Sequence, residues 1–588
     1  MTQRELLSEV WRLAKPYWTS EEKGRAWSLL LAVIGLNLGT VYIGVRINEW
    51  NRAFYNALQG LDSSELVRQV GVFCVLVVFA TAISVYAVYL NQMLYLRWRR
   101  WLTHRYLAVW LSDRTYYQLQ FSSTTDNPDQ RISEDIEKFT AALMSLSVGL
   151  ITALASLASF LVILWTLSGD IVIPLGHLGS IHLAGFLVWA ALLYAGIGTW
   201  ATVKLGRPLV ALNFNRQRHE ADFRFSLVRF RENAGSVAFY RGERSELRMF
   251  HRRYQNVFEN FFLIMRRQRI MSWFTSGYAQ IAPILPMVLI APHYFSKMIG
   301  LGGLMQGVNA FASVHTSLSF IITSYPEIAS LQAVTQRLSS FEKSLPEIRK
   351  ARGSLDRIKV RQSSSVKGVV IRELDLDSPL GVPLLRSVSF QVQKGDAILI
   401  KGEAGVGKSA LLRAMAGLWP FGQGTVELER GVTLFVPQTS YIPLGSLAET
   451  LVYPDDEAGM SRDVLAKVLA AVGLDPLLDQ LEEDRNWHER LSAGEQQRLA
   501  FARILLIKPA IVFLDAATSA LDNRAEAHLY ELLRNAPWHP TIVSASHRLD
   551  LRSFHDKILN LADFNPVAAY PAVEKANLSL AADSNQSG

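Results

Sequence analysis

One cysteine, Cys74, stands in a chain of 588 residues, so no internal disulfide can form and nothing points to an oxidising compartment. It lies in an apolar run and reads as a small buried hydrophobe. No apolar centre appears between Met1 and Gly24, a mixed and charged stretch, which speaks against a cleavable signal peptide. Charge is missing in a patterned way. Six stretches carry no Asp, Glu, Lys or Arg: 27–45, 69–96, 139–169, 171–203, 270–296 and 298–326. Each reaches the roughly 20 residues that cross a bilayer core, whereas buried helices of soluble proteins rarely pass about 14 without a charge. A mean hydropathy of +0.15 agrees. The expectation is a membrane-helical domain over 1–345 with six spans near 27–46, 70–94, 140–166, 183–203, 272–296 and 303–325. Within the fourth run, "IVIPLGHLGSIH" reads as an external loop because of its Pro and Gly.

What charge there is orients the bundle. Arg4, Arg12, Lys15, Lys23 and Arg25 precede the first span, and the 95–138 and 204–269 segments are rich in arginine. The loops on the other side hold only Arg52, Arg68 and Lys297. Positive residues stay cytoplasmic, which puts both termini inside. The net charge of +8 therefore reads as membrane topology, not as a nucleic-acid surface. "RWRRWLTHRYLAVW" at 97–110, basic and aromatic, is better explained as an interfacial belt beside a span.

Beyond the last apolar run the composition changes. Residues 346–366 are polar and basic and read as a linker, 367–565 follow a soluble α/β pattern, and 566–588 read as a loose tail. "DAILIKGEAGVGKSALLRAMAGL" at 396–418 is a strand, a glycine-rich loop and a helix. Its loop, Gly402, Glu403, Ala404, Gly405, Val406, Gly407, Lys408 and Ser409, fits the spacing G-x-x-x-x-G-K-S/T. Such glycines let backbone N–H groups wrap phosphate oxygens, and the helix that continues through Ala410 adds positive partial charge. Lys408 should reach the β and γ phosphates, and Ser409 should offer its hydroxyl to Mg²⁺. Ile511 to Asp515 is an apolar strand ending in a carboxylate suited to the same metal.

With "LSAGE" at 491–495 and "SALD" at 519–522, the chain resembles an ABC transporter nucleotide-binding domain. By this resemblance Gln438 is the Q-loop glutamine that touches Mg²⁺, and Ser492, Gly494 and Glu495 belong to the signature, in which Ala493 replaces the usual glycine. His547 in "SASHR" is similar to the switch histidine. In this family one domain's signature closes over the ATP held by another's phosphate loop. One membrane bundle with one such domain implies a homodimeric half-transporter with two composite sites. The fold class implied is an exporter-type bundle of six spans followed by an α/β P-loop domain, using ATP and Mg²⁺ in a bacterial inner (plasma) membrane.

One position departs from the family. Relatives usually carry glutamate after the strand-ending aspartate; here Ala516 stands there, and the group that polarises water is absent. General-base help is worth about 10²–10⁴-fold in rate, so binding should survive while turnover collapses. A deliberate substitution that traps the closed state competes with a naturally degenerate ATPase. The intact remainder of the motif set favours the first. Upstream of the phosphate loop, in "VVIRELDLDSPLGVPLLRSVSF" (369–390), no aromatic residue stands at the place expected to stack adenine, which leaves Val382 or Leu384 to pack the base.

The stretches "INEWNRAFYNAL" (47–58), "NPDQRISEDI" (127–136) and "EADFRFSLVRFRENAGSVAFYRGERSE" (220–246) resemble SbmA/BacA-like permeases and the related D-subfamily half-transporters. In "NPDQ", Asn127 followed by Pro128 reads as the start of a coupling helix. The resemblance implies alternating access and, as first reading, import of antimicrobial or other peptides, with hydrophilic solutes such as cobalamin beside them. A lipid or fatty-acyl transporter and an ATP-gated regulator that moves nothing are the rivals. Glu49, Arg52 and Tyr55 could line a gate or form an interfacial belt.

Overall fold

The computed structural model describes residues 3–121, 128–168, 170–174, 180–355, 358–455, 460–546, 548 and 550–565. The chain divides into two compact units, Met1–Leu345 and Pro346–Gly588. Expected features at Asn127, His547 and 566–588 lie outside the described residues.

The first unit is helical: α1 (Gln3–Trp18), α2 (Lys23–Gln59), α3 (Ser63–Leu111), α4 (Pro128–Ser168), α5 (Phe186–Glu232), α6 (Ala234–Tyr240), α7 (Glu243–Phe295), α8 (Leu301–Thr323) and α9 (Tyr325–Leu355). Apolar runs form helices here because no water in a bilayer would satisfy an open backbone. Side chains such as Val78, Phe79, Val162 and Leu193 point outward, as lipid-facing residues do. Cys74, read as buried, is exposed on α3; its apolar run faces outward instead of into the bundle. At 53 residues, α7 is about 80 Å long, far more than a bilayer core of about 30 Å.

Among the described residues, α2, α3, α4, α5 and α7 are long and apolar enough to cross a membrane. The sixth expected span forms α8, which is long enough at 23 residues but carries Gln306, Asn309 and His315 and is not among those five. It packs against α4, α2, α5 and α7, burying Leu304, Ala310, Phe311 and Val314. A helix walled in by helices can carry polar side chains that a lipid-facing one could not. Asn48 of α2, also buried, donates to the Gln306 carbonyl at 3.2 Å.

Two further expectations are corrected. The external loop holds a hairpin, β1 (Asp170–Pro174) antiparallel to β2 (Ser180–Ala184). The β-branched run Ile171, Val172 and Ile173 outweighs the Pro and Gly signals. Helix α5 starts only at Phe186, after Gly185 at φ +69°, where a Cβ would lie 2.5 Å from the Trp165 ring. The polar linker 346–366 is largely regular structure. Helix α9 runs on to Leu355, and β3 (Ile358–Ser363) pairs in parallel with a later strand. Its alternation of apolar Ile358 and Val360 with Lys359 and Arg361 is the period of a strand.

Helix α9 is gripped over a short stretch. Asp135, 1% exposed in a π-helical turn of α4, accepts two hydrogen bonds from Arg337, at 2.8 and 2.6 Å, and one from Arg131 at 3.0 Å. Tyr106 of α3 stacks on Phe341. Glu9 of α1 accepts from Lys343 at 2.9 Å and from Ser339 at 2.7 Å.

The second unit holds two large sheets and a two-stranded ribbon that pairs 445–446 with 484–485. Strands β3, β4 (Val369–Asp377), β5 (Pro383–Val392) and β7 (Gly422–Glu429) are ordered β3-β7-β4-β5. The other five are all parallel, in the order β11-β6-β10-β9-β8: β6 (Ala397–Lys401), β8 (Thr433–Val436), β9 (Ile511–Asp515), β10 (Thr541–Ala545) and β11 (Lys557–Asn560). Their inner members are continuous apolar runs, as expected for strands covered on both faces. Helices α10 (Lys408–Met415), α11 (Leu447–Val452), α12 (Arg462–Ala471), α13 (Ala493–Ile507) and α14 (Asn523–Arg534) complete the unit. A core around Trp487, Phe501, Leu514 and Tyr530 joins α13 and α14 to the parallel sheet.

Candidate functional site

The register of the parallel sheet brings distant motifs to one edge. Ile400 pairs with Ala545, Ala545 with Asp515, and Leu514 with Val436. The loop after β6, the end of β9 and the segment after β8 that holds Gln438 therefore leave the carboxyl ends of adjacent strands, where open α/β sheets bind ligands.

The loop 402–407 folds because glycine stands where the backbone turns left-handed, at Gly405 (φ +85°) and Gly407 (φ +108°). Glu403, Ala404 and Gly405 are exposed, while Val406 packs inward. The Lys408 side chain, 9% exposed, folds back over the loop and donates to the carbonyls of Gly402 at 2.7 Å and Glu403 at 2.8 Å. Burial pushes its pKa down, and the Asp515 carboxylate opposes that. Next to it, the Ser409 hydroxyl donates to Asp515 Oδ1 at 3.0 Å. A cation, a hydroxyl and a carboxylate thus meet at a helix N-terminus, the chemistry a phosphate with a hard metal requires.

Magnesium fits this donor set. It prefers one or two protein oxygens supplemented by phosphate and water. The Ser409 and Asp515 oxygens lie side by side, and among the described residues no group of three or more His, Cys, Asp or Glu forms a dedicated metal cage. Bound there, the metal would neutralise phosphate charge. The chain's own part is to hold Ser409, Asp515 and Lys408 in place.

Ala516 follows with φ +48°, its N–H donating to the Ala545 carbonyl at 2.9 Å. A left-handed alanine costs about 1–2 kcal/mol, so the turn is imposed by its surroundings. Its side chain offers only a methyl group at the strand end. Gln438 is exposed, and its backbone carbonyl accepts from Gln497 Nε2 at 3.3 Å. Leu384 lies beside Gly407, whereas Val382 is exposed.

The signature forms the start of α13. Ser492 caps it, and Ser492 and Glu495 bond each other reciprocally in a capping box. The serine is exposed. A Cβ on Gly494 would lie 3.4 Å from the Ala520 carbonyl, so the signature packs closely on the "SALD" turn of its own chain.

Three buried polar residues escaped the sequence reading. Gln497 bonds the segments around 438 and 519; Glu526 accepts from Thr518 and from Arg548 at 3.0 Å; Arg503 donates to the carbonyls of Thr450 and Tyr441. Burial pulls the Arg503 pKa down to about 10. The available signal was polar residues interrupting the apolar face of "LAFARILLI" and its preceding turn.

Comparison with known proteins agrees with this geometry. Residues 13–295 match the family "ABC transporter transmembrane region 2", and residues 385–519 match "ABC transporter". The chain is 36% identical to ABC transporter D family member 2, chloroplastic, of Arabidopsis thaliana, over 95% of this chain and 87% of that protein. It is 32% identical to the inner membrane ABC transporter ATP-binding protein YddA of Escherichia coli, over 96% and 99%. It is 26% identical to the human lysosomal cobalamin transporter ABCD4, over 94% of both. A solved bacterial Atm1-family ABC exporter with ATP bound shares the fold, with a TM-score of 0.67 at 17% identity, covering 92% of this chain and 94% of that one. The cassette implies ATP binding and ATPase activity by family. On these matches and this geometry, the chain belongs to the ABC transporter family, as a multi-pass membrane protein with one helical transmembrane domain and one nucleotide-binding domain.

Proposed function

We propose that two copies of this chain form an ATP-driven transporter that imports peptides, and hydrophilic solutes such as cobalamin, by alternating access across a bacterial inner membrane. The observation that carries the reading is that each chain has one phosphate loop, with Lys408, Ser409 and Asp515 assembled, and one exposed signature serine, Ser492. A second copy supplies the missing half of each pocket. Binding of two MgATP closes the pair, and Gln438 and His547 sense the γ-phosphate. With Ala516 in place of a base, the closed state accumulates. Basic residues flanking the spans keep both termini in the cytoplasm.

A fatty-acyl or lipid substrate is the second reading. It is favoured by an apolar groove of about 510 Å³ between α2 and α3, lined by Ala32, Leu36, Ile83 and Leu90 among others.

The test is uptake by Ala516→Glu protein in proteoliposomes, offered labelled proline-rich peptide, cobalamin and acyl-CoA in separate arms. ATP-dependent peptide or cobalamin accumulation is expected. Acyl-CoA movement alone would favour the groove, and ATP turnover with no movement of any probe would favour a regulator.

A further inference from the structure

Gln497 is 4% exposed on α13, five residues after the signature serine. Its amide makes three hydrogen bonds to two separate segments of the chain. Nε2 donates to the Gln438 carbonyl at 3.3 Å and to Ser519 Oγ at 3.1 Å, and Oε1 accepts from the Ala520 N–H at 2.9 Å. The Ala520 N–H can only donate, which fixes the amide's orientation. No other side chain offers two donors and an acceptor on one plane at this length. The neighbouring Thr518 is held independently: its hydroxyl donates to Glu526, buried to 2% exposure, whose other oxygen takes Arg548. Residues 518–520 are therefore pinned on one side to the turn that starts α14 and on the other to α13. Gln497 alone among these groups also holds the segment of Gln438.

We infer that Gln497 is a positioning residue that makes the Gln438 segment, the 519–520 turn and the signature helix move as one body when the nucleotide pocket closes. This rests on the proposal that two cassettes close over ATP. A residue that merely supports the fold would weaken all nucleotide binding alike. A positioning residue weakens only the state that needs the signature in register, the one holding a triphosphate. A diphosphate bound to the loop 402–409 does not require it.

The experiment uses the full-length protein in nanodiscs and measures the Kd and the release rate of both MgADP and MgATP. Gln497→Met keeps the volume and removes all three bonds. It should leave the MgADP Kd within about twofold and speed MgATP release roughly 5- to 100-fold, the range set by leaving buried donors and acceptors unmet. Gln497→Glu keeps the acceptor for Ala520 N–H and can take the Ser519 proton, but loses the bond to the Gln438 carbonyl. It should fall between the two, as should Ser519→Ala. Unchanged MgATP release in all three variants, or an equal loss of MgADP and MgATP binding, overturns the positioning role. If the unsubstituted chain releases MgATP as fast as MgADP, the closure reading itself fails.

Discussion

Two aspartates show how differently the two units use the same carboxylate. Asp135, in the membrane unit, is closed off and accepts three hydrogen bonds from two guanidinium groups, while its neighbours clamp α9 from α1 and α3. Its charge is spent on holding helices together. Asp515 stands at a strand end, partly exposed, hydrogen-bonded to the Ser409 hydroxyl and near the Lys408 ammonium. A carboxylate saturated by arginines is a fastener, and one accepting a single hydroxyl proton is a ligand in waiting. Charge in the membrane unit fixes shape, and charge at the sheet edge is kept for chemistry.

The largest test of that contrast is Asp135→Ala. It strands two arginines, one of them mostly buried, and should lower stability by about 3 kcal/mol, the low end for a broken buried pair because Arg337 reaches solvent. Thermal unfolding in detergent measures it, and the MgATP Kd should stay unchanged. Asp515→Asn should do the reverse. The magnesium-dependent part of ATP affinity should fall roughly 10- to 100-fold, or about 1.5–3 kcal/mol, with little change in unfolding temperature. Equal effects on stability and affinity in both variants would erase the distinction.

A smaller effect concerns the turn itself. Ala516→Gly should stabilise the nucleotide-binding unit by about 1 kcal/mol, because glycine accepts the left-handed φ without a Cβ clash. Chemical denaturation would detect this. The smallest effect is in acid. Hydrogen bonds from Lys343, Ser339 and Arg12 hold the Glu9 pKa down to about 2, from an ordinary 4.5. A depressed carboxylate stabilises the fold above its unfolded value, so this contribution is complete above about pH 5 and is lost as pH falls towards 2. Solvent reaches Lys343 and Arg12, which keeps the gain below about 1 kcal/mol. Glu9→Gln should flatten that part of the stability profile against pH.

The loop 402–409, Asp515 and the signature at 491–495 were legible in the sequence because each is built from residues close together in the chain. The glycines of the loop and the apolar run before Asp515 leave local marks; the capping box of Ser492 and Glu495 emerged only with the structure. Gln497, Glu526 and Asp135 each bond a residue 22 or more positions away, 202 in the case of Asp135, and a single sequence carries no trace of which partner each will meet. The surroundings of helix α8 were hidden for a related reason. Lack of charge is visible, but whether Gln306 and His315 face lipid or other helices depends on the packing of four neighbours. Strand β3 was hidden because its polar face made an edge strand look like a connector.

The central claim, that two identical cassettes clamp ATP and stall for want of a base at 516, is tested most directly by one comparison. The purified chain and Ala516→Glu are each loaded with radiolabelled MgATP, and retained and hydrolysed nucleotide are counted on the isolated dimer. The account predicts intact ATP on the unsubstituted dimer and turnover faster by about 10²–10⁴-fold in Ala516→Glu. Equal turnover by both proteins, or a monomer that keeps no nucleotide, would contradict it.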